Sequence, residues 1–181
     1  YRWYHEADAT KARQILPHWS MENVTDEQIA PIQKMIGDRQ IGRLGVVGSN
    51  DVTAEVIEES YRRFLRAFDA QLQNSRFFFG NRPASSDFGI MGQLTCLALF
   101  DPTPSALTAE LAPRVYGWTE LVEDLSGKEP REDDWTDVSS LPDSLRGLFA
   151  EVGHFHAPFL LANAEAVEKK AEQVETEIDG R

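Results

Sequence analysis

The sequence predicts an all-α protein, a helical bundle gathered around one central buried helix. Three observations carry that expectation. Apolar residues recur three or four positions apart over most of the chain, the spacing of one face of a helix. The stretch from Phe88 to Phe100 carries no charged side chain, so a helix there has no face suited to water. No segment alternates apolar and polar residues over a useful length; the nearest candidate, Ile41 to Val47, reads as a loop or a short extended piece.

Taken in chain order, Tyr1-Arg2-Trp3-Tyr4-His5 has no N-cap or turn signal before it and reads as part of a first helix cut at Tyr1. Thr25 with Gln28 three residues on makes a capping box for a short helix ending near Gly37, with a kink expected at Pro31. Gly42, Gly45 and Gly48, ending in Ser49-Asn50, form a flexible connection. No Lys-Ser/Thr follows them and no strong strand precedes them, so they do not match a phosphate cradle. From Val52 the positions Val56, Ile57, Tyr61, Phe64, Leu65, Phe68 and Leu72 mark a helix of roughly twenty residues, capped by Asp51 or Thr53.

Ile90, Met91, Leu94, Leu97 and Ala98 then mark the central buried helix, with neighbours expected on all sides. Pro113 opens a helix through Val115, Trp118, Leu121, Val122 and Leu125, and Gly127 stops it. The acidic stretch from Glu129 to Asp137 reads as a surface loop. Ser140 and Asp143, with Pro142 in the first turn, resemble a capping box for a helix through Leu145, Leu148, Phe149 and Val152, which Pro158 should bend or interrupt. Beyond Asn163, the positions Val167, Ala171, Val174 and Ile178 predict a final amphipathic surface helix.

A chain of 181 residues, 41% hydrophobic and 27% charged, fits one globular domain spanning 1–181. The net charge of −12 argues against nucleic acid or an anionic membrane surface as partner, because both demand a cationic footprint. No run of about eighteen apolar residues could span a bilayer and no leader pattern opens the chain, so the expected compartment is the cytoplasm. Cys96 lies in an apolar run and reads as a small buried side chain. His154 and His156 point about 200° apart on a helix and cannot share a metal without a local break, which Pro158 could provide; they read as ordinary packing or surface histidines, and no metal ligand is assigned. The carboxylates form no isolated pair in an apolar setting, and no catalytic or cofactor-binding residue is assigned.

The segment Arg76-Phe77-Phe78-Phe79-Gly80-Asn81-Arg82-Pro83-Ala84-Ser85-Ser86-Asp87-Phe88 resembles a stretch of the glutathione S-transferases, where an aromatic-Phe-Gly loop and Arg/Lys-Pro lead into a buried helix bearing Asp in its first turn. Gly92-Gln93-Leu94, Asp101-Pro102-Thr103-Pro104 and Ala112-Pro113-Arg114-Val115 with Trp118 follow in the order of many bacterial-type members, and the similarity is best from about Val52 to Leu125. The match is to the C-terminal helical domain. Asp87 has a physical rationale of its own: a helix that starts in the core leaves N–H groups that water cannot reach, at about 1–3 kcal/mol each, and a carboxylate at the third helical position can accept from them. The family's Ser or Thr three residues earlier is Ala84 here, so Ser85 or Ser86 is expected to supply the missing acceptor.

The resemblance implies a glutathione-dependent transferase in the whole protein. A thioredoxin-like domain would bind glutathione as co-substrate and activate its thiol, while the helical domain would supply an apolar wall for a hydrophobic electrophile and part of a homodimer contact. Trp3, Tyr4, Tyr116 and Trp118 are the candidates for that wall. No glutathione-binding motif occurs in these residues, so the chain by itself is expected to be inactive, and an apolar face left without its partner domain should be exposed and sticky. The resemblance also allows a non-catalytic reading, because related helical domains dock partners in translation-factor subunits and mitochondrial import components.

Overall fold

The computed structural model describes residues 1–178, and their regular structure is helical throughout. The opening residues Tyr1–His5 form turns, and α1 (Glu6–Ile15) starts after them with His5 as its cap residue. The aromatic opening thus forms turns that lead into α1. The start was invisible in the sequence because His5 makes no side-chain cap; Glu6 and Asp8 favour it through the helix dipole. A tight turn at Leu16–Trp19 leads towards α2 (Asp26–Ile41), where the predicted box forms: the Gln28 N–H donates to Thr25 Oγ1 and the Thr25 N–H to Gln28 Oε1. Pro31 does not end α2, which runs past Gly37. Ile41 closes that helix and Leu44–Val47 form a single tight helical turn, which corrects the extended reading of this segment.

The helix read from Val52 onward is α3 (Ala54–Leu72), and neither Asp51 nor Thr53 caps it with a side chain. Asn50 organises the start instead, its Oδ1 accepting from the N–H groups of Val52 and Thr53 at 2.9 and 3.1 Å. Tyr61, Leu65 and Phe68 of α3 are buried, and the Phe68 ring packs edge-on against Trp118 at 4.9 Å and tilted against Phe78 at 5.9 Å. Around them lie Leu94, Ala98, Val115, Val122, Leu145 and Leu148. The core is thus centred on α3.

That centring corrects the position expected of α4 (Ser85–Leu94), which continues through a wider, π-type turn at Thr95–Phe100. Only Asp87, Leu94 and Ala98 of this segment are fully buried, while Phe88, Gly89, Gly92 and Gln93 are exposed. An apolar composition reports what a helix can bury, not what the chain supplies to bury it. Cys96 is half-buried rather than buried. Next come α5 (Pro102–Leu111) and α6 (Pro113–Glu123), each opened by a proline whose missing N–H costs nothing at a first helical position.

After a loop, α7 (Asp143–Glu151) begins with Pro142 as cap residue and no side-chain cap. Ser140 lies in a separate tight turn, so the expected box does not form. The chain then passes through a wide turn at Val152–His156 into α8 (Ala157–Glu168). Pro158 accounts for the wide turn: it offers no N–H and its ring would press on the carbonyl four residues back, and an extra residue in the turn relieves both. The helix ends at Glu168, so Ala171, Val174 and Ile178 are not helical, contrary to the periodicity.

Candidate functional site

The best-defined polar construction surrounds Asp87, whose side chain is fully buried. Its Oδ1 accepts the Phe78 N–H at 2.7 Å and its Oδ2 the Ala84 N–H at 2.8 Å. One carboxylate thereby ties the aromatic loop to the start of α4. Burial raises this carboxyl above its ordinary value, and the N–H groups of Phe78, Ala84 and Asp87 itself pull it back down. Neither serine completes the box: Ser85 is exposed, no side chain caps the helix at Ala84, and Ser86 Oγ is buried with no partner among the described residues.

The loop is closed from its other side. The Asn81 N–H donates to the Asp134 carbonyl at 2.7 Å and the Thr136 N–H to the Phe79 carbonyl at 2.8 Å, so the acidic segment is pinned along the loop. Gly80 is required at this seam, because its φ is +126° and a Cβ there would stand 2.2 Å from the Asp134 carbonyl oxygen. The Arg82 guanidinium lies over the Trp135 ring, 4.8 Å from its centre.

Two further buried aspartates do for α5 and α6 what Asp87 does for α4. Asp8 of α1 accepts the Thr103 N–H at 2.7 Å, and Asp69 of α3 accepts the Arg114 N–H at 3.2 Å while its other oxygen pairs with the Arg114 guanidinium at 2.8 Å. Both helices open with proline and lack a cap of their own, so the acceptor arrives from another helix. Asp101, which could have capped α5, is instead held by the Arg2 guanidinium at 2.9 and 3.1 Å. These partners are 45 or more residues apart in sequence, and short-range cap patterns could not reveal them.

A cleft lies where the opening turn meets α3. Tyr1, Tyr4, His5, Ser49, Ala54, Ile57 and Glu58 line it, and the space it encloses is about 30 Å³. Tyr1 stacks on His5 at 5.4 Å and meets Tyr61 edge-on at 5.7 Å. Its phenol is pushed well up by burial and then by the Glu58 carboxylate. The Tyr4 hydroxyl donates to Asp51 at 2.9 Å, and this hydrogen bond raises the Tyr4 phenol. The arrangement is a shallow recess in which two tyrosine rings meet His5, Ser49 and Glu58, as polar as it is apolar, with room for about one or two water molecules.

Of the four residues assigned to a substrate wall, Tyr4 lines this cleft. Trp3 and Tyr116 are half-buried and line no part of it. Trp118 lies in the core, its indole N–H donating to the Arg76 carbonyl at 3.0 Å. Of the other cleft residues, Ile57 is marked by periodicity as part of a helix's apolar face, Tyr1 belongs to the aromatic opening, and Glu58 is not singled out. The one available signal was the cluster of aromatics at the chain's opening. Among the described residues no group of three His, Cys, Asp or Glu could hold a metal ion, and no helix is long and apolar enough to cross a membrane. Compared with models of protein families, with curated proteins and with solved structures, the chain finds no match.

Proposed function

We propose that this chain is the helical half of a glutathione transferase-like enzyme, whose thioredoxin-like half holds glutathione and activates its thiol. The observation that carries the reading is the Asp87 tie, which gives a physical purpose to the order of aromatic-Phe-Gly loop, Arg-Pro and helix on which the resemblance rests. In this reading the helical half binds and orients. The Tyr1 and Tyr4 rings form the apolar wall that receives a hydrophobic electrophile, the glutathione thiolate forms the new S–C bond, and the leaving group departs from that carbon. Retention of the whole protein on immobilised glutathione is the test. Specific elution by free glutathione supports the reading, and absence of retention contradicts it.

A second reading is favoured by a different observation, the open apolar face of α4 at Phe88 together with the exposed α8. A domain that serves as a non-catalytic docking module of the same architecture needs such faces and needs no thiol site. The whole protein would then bind a partner protein while failing to retain glutathione.

A further inference from the structure

We infer that residues 42–53, the connection between α2 and α3, form a lid over the recess at Tyr1 and Tyr4, latched by the hydrogen bond from the Tyr4 hydroxyl to Asp51. The lid rests on the reading of that recess as a binding wall, but not on glutathione. Size is the first ground. The recess encloses about 30 Å³, whereas sites that take an organic molecule hold about 300–1,000 Å³. Anything aromatic that meets the Tyr1 and Tyr4 rings therefore enters only after part of the wall has moved.

One part of the wall is weakly held. Tyr1 is fixed by its ring contacts with His5 and Tyr61, and Ile57 and Glu58 belong to α3, on which the core gathers. Ser49, by contrast, comes from the connection. From position 42 to 52 no residue is buried, and Val46, Val47 and Val52 are 83%, 77% and 86% exposed, so apolar burial does not hold the segment down. Its backbone hydrogen bonds close on the segment itself or on the ends of the flanking helices: the Val46 N–H donates to the Arg43 carbonyl, the Ser49 N–H to the Leu44 carbonyl and the Thr53 N–H to the Asn50 carbonyl. The Thr53 hydroxyl likewise donates to the Gly48 carbonyl at 2.6 Å.

Asp51 is the exception. Its Oδ1 accepts the Tyr4 hydroxyl at 2.9 Å across 47 positions of sequence, and among the described residues no other hydrogen bond or ion pair joins 42–53 to a part of the chain beyond its flanking helices. The bond lies at the surface, where water competes for both partners. Lifting the segment thus breaks one exposed hydrogen bond and little apolar packing, and opens the side of the recess that Ser49 now closes. Tyr1, Ile57 and Glu58 stay in place.

The latch sets the open population, and a ligand that needs the open form binds in proportion to it. Asp51→Ala breaks the latch and leaves the Tyr4 ring in the wall, so two measurements on the whole chain should move together. Amide exchange at Val46, Gly48 and Ser49 should quicken roughly two- to fivefold, because a single helical turn does not persist once the segment lifts. Affinity for nitrobenzene, a neutral single-ring probe followed by NMR at the Tyr1 and His5 rings, should tighten by the same factor. Asp51→Asn, which keeps an acceptor for the Tyr4 hydroxyl, should match the native chain in both. Unchanged exchange in Asp51→Ala, faster exchange without tighter binding, no binding of nitrobenzene by any variant, or Asp51→Asn behaving as Asp51→Ala overturns the inference. So does an acceleration that spreads along α3, which makes Asp51 a support of the helix and not of a lid. No thiol enters either measurement, so a protein that shows the coupled change but no conjugation keeps the lid and loses the transferase reading.

Discussion

Asp87 shows what one buried side chain can decide. Its two oxygens satisfy two N–H groups that the core shields from water, in a helix whose cap residue, Ala84, has no acceptor to offer. Replacing it with alanine orphans both donors and is expected to lower the unfolding free energy by about 2–4 kcal/mol, measured by urea denaturation. Its ionisation pulls the other way. The folded-state carboxyl titrates above the unfolded one, so Asp87 contributes most at acid pH, and that contribution falls as pH rises from about 4 through the folded-state value. Asp87→Asn cannot titrate, so the stability of the native chain measured against that variant should decline across this window and level off above it. Gly80→Ala tests the same seam from the backbone: a Cβ 2.2 Å from a carbonyl at φ +126° should cost about 3 kcal/mol or more, seen as a fall in midpoint denaturant.

At the level of elements, α3, α6 and the start of α2 were legible because each is specified locally, by a three-four stripe or by a cap within four residues. The start of α6 was legible at Pro113, whereas α5 was not marked by any stripe, and the acceptors that complete both starts, Asp8 and Asp69, were hidden because they come from helices elsewhere in the chain. Asp69→Ala should therefore destabilise α6 specifically, by about 1–2 kcal/mol, because Arg114 is half in water and part of its loss is recovered there. Faster amide exchange confined to the first turn of α6 would register it. Periodicity also overreached at the C-terminal end: Val167, Ala171, Val174 and Ile178 keep helical spacing, but the helix ends at Glu168 and only Val167 of the four lies within it. Pro158, expected to bend or interrupt the helix, does not break it: the chain absorbs it in a widened turn.

For the molecule as a whole, the helical class could be read from the sequence but not the place of each helix. The charge-free run 88–100 reads as the centre of the bundle, whereas the core gathers on α3 and leaves Phe88 half in water. The cleft was legible only as an aromatic cluster, since the approach of Ile57 and Glu58 to Tyr1 depends on how the opening turn folds back on α3. What that cleft does is the account's central claim. Its most direct test is the rate of glutathione conjugation to an aromatic electrophile by the whole protein, with and without Tyr4→Ala. The account predicts turnover, with KM for the electrophile raised several-fold in the variant and kcat little changed, because Tyr4 contributes uniform binding and not chemistry. No conjugation above the uncatalysed rate, or a Tyr4→Ala protein with unaltered KM, would contradict it.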